Sequence, residues 1–429
     1  MSNLKEKNMF ESNKITFTLK QITPIIHFKG EKDTLRGTDL KPRFDKFLNL
    51  VIDEKEKKNL LLKKSKDNNE QTDAFDYKIR IIKEESDNTE QYFKKGKIIG
   101  AYFGDLGKSS KDSDKPAYKL SFYKNIDVEF IINNDRLKAE IKKWFPKFMV
   151  FNTFGTRKNK GYGYFLPEKC DISISNLESI IKEISDKYSY KGKSYLGVYK
   201  IEFSEKKKNY NNKEFNHLNL IKDFHQILKS GMNFNKVYKK SIMLKQYKYS
   251  ENSCNEKKGM KIILNSQGIN IDFLLNKSGQ SKKDFPKKLP QNVYYVRGML
   301  GFSPFYEFRK IKNGKFSLKS DVGENFERFE SPIQYIPIPN EKAVLLLVNY
   351  KKIEKFRTNR KFNFTNNKNK KYIFKVPTED EYSIHNIFKE NGVIDSKKDE
   401  YEDYFQYSVI KDIEEYPYGI GEKEDKNVK

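Results

Sequence analysis

The apolar pattern of the chain constrains its fold more than any other feature, because it repeats one mixture of elements in two halves. In the first half, residues 15–28 alternate as a strand does. Leu40, Phe44 and Phe47 follow with the spacing of an amphipathic helix. The segment 204–213 is polar and has no period, so it predicts a linker between the halves. Strands and helices that mix within each half predict an α+β fold.

Further patterns complete the two halves. The first half is predicted to add these elements: strands at 77–82, 97–103, 118–132, 170–175 and 196–203, and helices at 137–145 and 177–185. The second half is predicted to contain helices at 218–228 and 237–244, and strands at 293–296, 333–338 and 343–350. The predicted domains are an N-terminal domain (1–203), a C-terminal domain with a helical insertion (214–394) and an acidic tail (395–429).

The amino-acid composition argues against several classes of protein. Hydrophobic residues form 36% of the chain and aromatic residues 14%, which is enough for sizeable cores and argues against wholesale disorder. The densest apolar stretch, 343–348, is far shorter than the roughly 18 residues of a membrane span. The first residues lack the apolar centre of a secretory signal. Two cysteines and four histidines make neither a disulfide framework nor a zinc cluster. We expect a cytoplasmic protein that needs no cofactor and binds no membrane.

The chain is strongly basic, with a formal net charge of +26, and such an excess usually indicates a nucleic-acid partner. Only ten of its 85 bases are arginine, however, and a low-GC genome favours lysine without selection for binding. The distribution is more informative than the total. Residues 395–429 carry a net charge of −5, whereas residues 351–371 carry +8 and include Phe356, Phe362 and Phe364. Interleaved bases and aromatic rings predict that 351–371 is either RNA-facing or a mobile loop.

The segment 152–164, NTFGTRKNKGYGY, carries the most informative motif. It combines glycines, bases and tyrosines without any acid: Gly155, Gly161, Gly163, Arg157, Lys158, Lys160, Tyr162 and Tyr164. Glycines let backbone N–H groups approach a ligand, bases neutralise phosphates and tyrosines stack on exposed bases. The spacing fits neither a Walker loop nor a Rossmann fingerprint. The segment predicts an RNA-contacting loop, and the alternative is an ordinary charged surface turn.

Three further windows place an arginine beside a glycine or a turn. Arg36 and Gly37 lie between a predicted strand and helix, where N-terminal amides can hold phosphate, and Arg43 follows on the outer helix face. Arg297 is again followed by glycine, and Arg328 opens an Arg-x-x-Ser-Pro segment that enters a strand. In a chain this rich in lysine, arginine indicates a need for a planar group with several donors. The alternatives are a solvated helix face and ordinary basic turns.

Candidate catalytic and metal-binding residues are sparse. His27, at a predicted strand end, is a candidate general base for a metal-independent ribonuclease, although a lone histidine there is more often structural. His217 and His225 lie eight residues apart on a predicted helix, and two ligands do not make a metal site. Asp39, at a helix start near Arg36, is a candidate to polarise a ribose hydroxyl, although a favourable contact with the helix dipole is the more common role of such a residue. The sequence therefore does not predict an enzyme.

At these windows the chain resembles the RAMP superfamily of CRISPR-associated RNA-binding proteins, in particular the Cmr-type capping subunit of type III-B effector complexes. The matching features are Thr23-Pro24-Ile25, Arg36-Gly37, the loop 152–164, Arg297-Gly298 and the segment 328–332. The resemblance implies two ferredoxin-like (RRM-like) RAMP units with helical and loop insertions. It also implies a non-catalytic subunit for antiviral defence that holds the 3′ region of the CRISPR guide RNA and caps the backbone filament. The implied partners are guide RNA, target RNA and other RAMP subunits.

The motifs and the resemblance together predict RNA contacts from these residues: Arg36, Gly37, Arg43, Gly155, Arg157, Lys158, Lys160, Gly161, Tyr162, Gly163, Arg297, Arg328, Arg357, Arg360 and Lys361. Two alternatives stay open. One is a metal-independent endoribonuclease that processes CRISPR repeat RNA, for which His27 is a weak catalytic candidate. The other is an assembly subunit that uses its acidic tail and exposed aromatic rings for protein contacts.

Overall fold

The computed structural model describes the protein over these residues: 13–28, 35–62, 72–83, 93–94, 97–98, 118–123, 125–169, 174–190, 193–204, 216–234, 237–245, 252–276, 285–301, 305–308, 311, 314–320, 331–357, 360–388 and 405–411. Within them the strands are β1 (Lys14–Gln21), β2 (Ile25–Phe28), β3 (Lys78–Lys83), β4 (Phe93–Lys94), β5 (Lys97–Ile98), β6 (Tyr118–Ser121), β7 (Asn125–Ile131), β8 (Phe165–Pro167), β9 (Ser189–Tyr190), β10 (Lys193–Ser194), β11 (Leu196–Phe203), β12 (Met232–Phe234), β13 (Val237–Lys239), β14 (Ser253–Asn255), β15 (Asn292–Tyr294), β16 (Phe305–Glu307), β17 (Lys315–Ser320), β18 (Ile333–Pro337), β19 (Ala343–Asn349), β20 (Lys361–Asn366), β21 (Lys371–Lys375) and β22 (Phe405–Lys411).

The helices within the same residues are α1 (Gly37–Val51), α2 (Glu54–Lys57), α3 (Asp135–Val150), α4 (Ile174–Lys187), α5 (His217–Lys229), α6 (Ile242–Lys245), α7 (Glu256–Ser266), α8 (Asp272–Asn276), α9 (Tyr350–Arg357) and α10 (His385–Phe388). A 3-10 turn lies at Arg297–Leu300. No helix in the described part of the chain is long and apolar enough to span a membrane.

The first half of the chain builds a four-stranded sheet in the order β3-β7-β1-β8, in which all neighbouring strands are antiparallel. Along the chain its elements run β1-α1-β3-β7-α3-β8. Numbered in chain order, the four strands lie in the order 4-1-3-2 across the sheet. This is the arrangement of a ferredoxin-like split βαβ unit.

The second half repeats this topology in a sheet of order β18-β19-β11-β22, again antiparallel throughout. Its elements run β11-α5-β18-β19-α9-β22, which gives the same 4-1-3-2 order. β11 therefore pairs with strands of the second half, and β22, from the segment predicted to be an acidic tail, is the fourth strand. The predicted α+β class is confirmed, and each sheet has the ferredoxin-like strand order.

An insertion in the second unit forms a six-stranded sheet of order β14-β15-β21-β20-β17-β16. Its strands come from the chain between α5 and β18 and between α9 and β22. The basic stretch 351–371 contributes most of α9 and all of β20. Its phenylalanines, Phe356, Phe362 and Phe364, are fully buried, so they pack in the core and offer no face for stacking on RNA.

The two ferredoxin-like units complete each other's hydrophobic core. In the first unit, the ring centroids of Phe44 on α1 and Phe145 on α3 lie 5.3 Å apart in an edge-to-face contact. Ile336 and Leu345 of the second sheet belong to the same buried cluster. Tyr162 of the first half is in turn buried in the cluster of the second unit. Because apolar burial is the main favourable term in folding, the units stabilise each other.

Several predicted elements differ from the structure. Residues 15–28, predicted as one strand, break at 22–24 into β1 and β2, which lie in different sheets. Residues 118–132 likewise divide into β6 and β7. The predicted helix 237–244 is wrong: it is β13 followed by α6, which starts where the Ser241 hydroxyl accepts the N–H of Leu244.

Two strand predictions fall partly outside the described residues. In 170–175, the last two residues begin α4, and the others lie outside the described part of the chain. In 97–103, residues 97 and 98 form β5, and the remaining five are not described.

Candidate nucleic-acid interface

Residues 152–164, called the glycine loop below, connect α3 to β8. The loop is closed at its base by a β-bridge between Thr153 and Tyr164 and by the Phe154 N–H, which donates to the Gly163 carbonyl at 2.8 Å. Gly163 has a φ of +66°, and a Cβ there would lie 2.1 Å from the Phe154 oxygen. Glycine is therefore required at the base of the loop.

The glycine loop binds the first unit through the break between β1 and β2. The Gly163 N–H donates to the Pro24 carbonyl, and the Thr156 N–H donates to the Ile26 carbonyl, each at 2.8 Å. The Thr23 hydroxyl donates to the Gly161 carbonyl at 2.6 Å. The Thr23-Pro24-Ile25 segment thus interrupts the first strand in order to hold this loop.

The same loop also binds the second unit, and we call this contact with β18 the seam. Lys160 forms a parallel β-bridge with Tyr335. The Asn159 side-chain amide donates to the Ser331 carbonyl at 3.4 Å, and the Gln334 amide donates to the Phe151 carbonyl at 3.1 Å. The glycine loop therefore lies between the two ferredoxin-like units.

A series of hydrogen bonds connects the four sequence windows, which are the segment around Arg36 and Arg43, the glycine loop, the segment around Arg297 and the segment that Arg328 opens. Arg43 on α1 donates to the Thr153 carbonyl at 2.6 Å, which connects the first window to the glycine loop. The Asn159 contact connects the loop to Ser331. The Ser331 hydroxyl donates to the Leu300 carbonyl at 3.0 Å, which reaches the window around Arg297. Segments that are far apart in sequence thus meet along one line.

Four bases meet at the seam and are called the seam cluster: Arg157, Lys160, His225 and Lys229. The Lys160 ammonium lies 5.5 Å from the centroid of the Tyr335 ring, and Nδ1 of His225 lies 3.2 Å from the Tyr335 hydroxyl. Lys229 donates to the Gly301 carbonyl at 2.6 Å. Arg157 has a φ of +61°.

Burial and mutual repulsion define the electrostatics of the seam cluster. Burial, followed by the charges of Lys229 and Arg157, holds the pKa of Lys160 well below its usual value. Burial and the charges of Lys160, Lys229 and Arg157 lower the pKa of His225 in the same way. Among the residues that the structure describes, the charged groups that lower these two pKa values are positive, so a bound anion would offset their charge.

Comparison with known families identifies the chain. A family model of the Cmr1 N-terminal domain matches residues 12–232, and one of the Cmr1 C-terminal domain matches residues 238–414. The chain belongs to the Cmr1 family. It is therefore a subunit of a type III-B CRISPR effector, a complex of several Cmr subunits with RNA. No curated protein gives a significant match.

In this member of the Cmr1 family, the boundary between the two matches falls inside the hairpin of β12 and β13. β11 and α5 therefore lie in the N-terminal match, although β11 is a strand of the second sheet and α5 is a helix of the same unit. The basic residues of the seam cluster therefore all lie in the N-terminal match, and β18 lies in the C-terminal match.

Two arginines predicted to contact RNA are instead held inside the protein. Arg297 is 8% exposed and its Nε is bonded to a Glu256 carboxylate oxygen. Arg357 is 5% exposed, is bonded to Glu379 and donates to the Tyr382 carbonyl at 2.8 Å. Both guanidinium groups are used in buried ion pairs, and neither extends from the surface as an RNA contact requires.

Other predicted contact residues also have structural positions. Tyr162 is fully buried, so its ring has no exposed face for a base. The Arg43 guanidinium donates to the Thr153 carbonyl and to the Asn152 side chain, and it lies over the Phe154 ring. Arg43 therefore stabilises the glycine loop.

The remaining glycines have different surroundings. Gly155 and Gly161 have φ values of +75° and +77°, and each leaves little room for a side chain. Gly37 begins α1, and a Cβ there would make ordinary contacts with Ile79.

Four predicted basic contacts lie at or near the surface. Arg36 is the N-cap residue of α1 and is partly exposed, as is Lys158 in the glycine loop. Arg360 lies 5.9 Å from the Phe356 ring centroid, and Lys361 is exposed at the start of β20. The structure brings Arg157, Lys158 and Lys160 together but does not bring Arg360 and Lys361 to the seam through any described contact.

Two predicted residues cannot be placed as side chains. Arg328 lies outside the described residues, and of His27 only the backbone is described, in β2 opposite Lys119. His217 is hydrogen-bonded through Nε2 to the carbonyl oxygens of Ile338 and Glu341, which gives it a structural role. Within the described part of the chain, no group of His, Cys, Asp or Glu could hold a metal ion.

Sequence reasoning missed three residues of the seam. Lys229 belongs to no motif, Tyr335 lies in the window that Arg328 opens but is not a predicted contact, and His225 is weighed only as a metal ligand. The available signal is weak, namely a lysine directly after the predicted helix 218–228. Their proximity to the glycine loop arises from the packing of the two units, which no local pattern encodes.

Proposed function

We propose that the seam binds the phosphate backbone of the CRISPR guide RNA, and that the protein is a non-catalytic RNA-binding subunit of its effector complex. The observation that carries the proposal is the seam cluster, in which Arg157 and Lys160 of the glycine loop lie close to His225 and Lys229 of α5. A phosphate would neutralise this charge, and basic side chains beside positive-φ glycines suit close approach of RNA backbone.

The chemistry of the seam favours recognition of the RNA backbone over recognition of bases. Tyr162 is buried, so stacking by the loop's central aromatic residue does not contribute. Phosphate contacts position an RNA but do not read its sequence. Binding should therefore depend strongly on salt and weakly on sequence. Contact with the 3′ region and capping of the filament are proposed on the resemblance to Cmr-type capping subunits.

The test removes the charge of two seam residues while keeping the loop conformation. Arg157→Asn is chosen because asparagine tolerates a positive φ, and Lys160→Met keeps an apolar stem of similar length. We expect the double variant to bind single-stranded guide RNA at least ~10-fold more weakly. The slope of log K against log salt should become shallower by about 0.7 for each phosphate contact that is lost.

The matched control changes two exposed bases elsewhere, Arg80→Asn and Lys142→Met, which removes the same charge. The control should retain near-normal affinity. Equal losses in both variants would assign the binding to overall charge and contradict the seam. Cleavage of CRISPR repeat RNA by the wild-type protein in EDTA, lost in His27→Ala, would overturn the non-catalytic part of the proposal.

A further inference from the structure

One buried threonine attaches the basic part of the glycine loop to the base of the loop. Thr153 is fully buried, and its hydroxyl donates to the Lys158 carbonyl at 2.7 Å. The same carbonyl accepts the Gly161 N–H at 3.1 Å, and the Arg157 carbonyl accepts the Lys160 N–H at 2.8 Å. These bonds close a compact turn from Arg157 to Gly161, called the inner turn below. The Thr153 hydroxyl therefore holds the turn that carries the bases of the loop.

The inner turn is also attached to β18 of the second unit. The Tyr335 N–H donates to the Asn159 carbonyl at 3.4 Å, next to the β-bridge between Lys160 and Tyr335. The residue before Tyr335 is Gln334, and its side-chain amide donates to the Thr153 hydroxyl oxygen at 3.2 Å. β18 therefore contacts both the inner turn and the residue that holds this turn.

These contacts close a ring of hydrogen bonds, called the seam ring, in which Thr153 is bonded to Lys158, Asn159 to Tyr335 and Gln334 to Thr153. The chain completes the ring, because Lys158 precedes Asn159 and Gln334 precedes Tyr335. The Thr153 hydroxyl uses both its donor and its acceptor capacity here. A buried polar network whose members are bonded to one another makes the structure around it rigid.

The seam ring lies between the bases of the loop and a base of α5. Tyr335, a member of the ring, has the Lys160 ammonium 5.5 Å from its ring centroid. Its hydroxyl lies 3.2 Å from Nδ1 of His225 on α5. Lys160 comes from the loop and His225 from the second unit, so the position of Tyr335 relates one to the other. Binding groups keep a productive spacing when hydrogen bonds behind them fix their positions.

We infer that Thr153 and Gln334 are positioning residues for RNA, which hold Arg157 and Lys160 through the seam ring at the spacing from α5 that a phosphate backbone requires. The inference rests on the proposed function, because it requires RNA at the seam. Thr153 is uncharged and fully buried, so its effect on RNA passes through the bases that it holds in place. The affinity for RNA then depends on two neutral side chains as well as on the positive charges.

The test removes the Thr153 hydroxyl while keeping the charge of the protein and the shape of the side chain. Thr153→Val breaks the bonds to Lys158 and Gln334, whereas Thr153→Ser keeps the hydroxyl. We expect Thr153→Val to bind single-stranded guide RNA about tenfold more weakly. Its slope of log K against log salt should be shallower by about 0.7 for each phosphate contact that is lost, although no charge is removed. Thr153→Ser should bind within about twofold of the wild type.

The matched control makes the same substitution in the first sheet. Thr18 lies in β1, is half-buried, and its hydroxyl donates to Asp127 of β7 at 2.7 Å. Thr18→Val should keep the RNA affinity and the salt slope of the wild type. Denaturant unfolding gives the stability of each variant, and RNA is titrated at a temperature where all of them are folded. An equal loss of affinity in Thr18→Val and Thr153→Val would show a general effect of destabilisation and overturn the inference.

Gln334→Met opens the ring from the other side. Gln334 is half-buried, and its replacement leaves the Thr153 hydroxyl in place. This variant should also bind RNA more weakly and with a shallower salt slope. The double variant Thr153→Val, Gln334→Met should bind about as weakly as Thr153→Val alone, because the ring is already open. Losses that add fully in the double variant would contradict a shared ring and overturn the inference.

Wild-type affinity and salt slope in Thr153→Val would likewise overturn the positioning role. If Thr153→Val does not fold, Gln334→Met decides by the same two measurements.

The positioning role and the proposed function fail in different ways. If the Arg157→Asn, Lys160→Met variant loses RNA affinity and the Thr153→Val variant does not, the seam stands and the positioning role is wrong. If the Arg157→Asn, Lys160→Met variant binds RNA as the wild type does, the proposed function is wrong and the positioning role falls with it.

Discussion

At the residue scale, the glycines with a positive φ differ in how strictly the structure requires glycine at their positions. Gly163 combines a φ of +66° with a carbonyl oxygen 2.1 Å from the position of a Cβ. Gly268, after α7, has a similar φ of +73° but nothing within 4 Å of that position. The first glycine is required for both conformation and close packing, whereas the second is required for conformation only.

This difference predicts the outcome of two alanine substitutions. Gly268→Ala should lower the free energy of unfolding by about 1–2 kcal/mol, the cost of a left-handed conformation. Gly163→Ala should cost more, because the loop base must also shift away from Phe154, and it should weaken RNA binding as well. Denaturant unfolding and RNA titration of both variants measure these effects. Equal destabilisation by the two substitutions would contradict the packing role of Gly163.

At the element scale, the basic stretch 351–371 is a structural part of the second unit. α9 buries Ile353 and Phe356, and its last residue, Arg357, holds the segment before α10 by bonding Glu379. Glu379 in turn accepts hydrogen bonds from the Ser383 hydroxyl and the backbone of the following residues. The bases of the stretch 351–371 therefore include Arg357, which forms a buried ion pair, as well as lysines at the surface.

The ion pair predicts a stability effect without a direct RNA effect. Arg357→Met leaves Glu379 buried without its partner and should lower the free energy of unfolding by about 3–5 kcal/mol. The double variant Arg357→Met, Glu379→Leu should recover most of that loss, because no unpaired charge remains. Thermal unfolding measures both. Failure of the second substitution to rescue stability, together with weaker RNA binding by the folded double variant, would assign Arg357 to the RNA instead.

At the scale of the whole molecule, the seam is where fold and proposed function coincide. Each unit supplies side chains to the core of the other, so the glycine loop is held from both sides. Placing the binding groups on two packed units fixes their spacing more firmly than a free loop would. The cytoplasmic location and the role of His27 stay predictions.

Periodic patterns predicted much of this architecture. α1, α3 and α5 have strong local apolar periods, because burial on one face depends on neighbours in sequence, and β19 is a mostly apolar run that is buried along nearly its whole length. The glycine loop was predicted for a similar reason, since its glycines and bases are adjacent. The sequence did not reveal that Arg297 and Arg357 form ion pairs inside the protein. Their partners, Glu256 and Glu379, lie 41 and 22 residues away in the chain.

The central claim is that RNA lies along the seam, and photocrosslinking tests it most directly. Guide RNA with 4-thiouridine at successive positions is bound to the full chain, crosslinked and mapped by mass spectrometry. The account predicts crosslinks in residues 156–164 and 331–337 at adjacent RNA positions, and few on the exposed face of α3 around Lys142. Crosslinks concentrated on α3, with none in the glycine loop or β18, would contradict it.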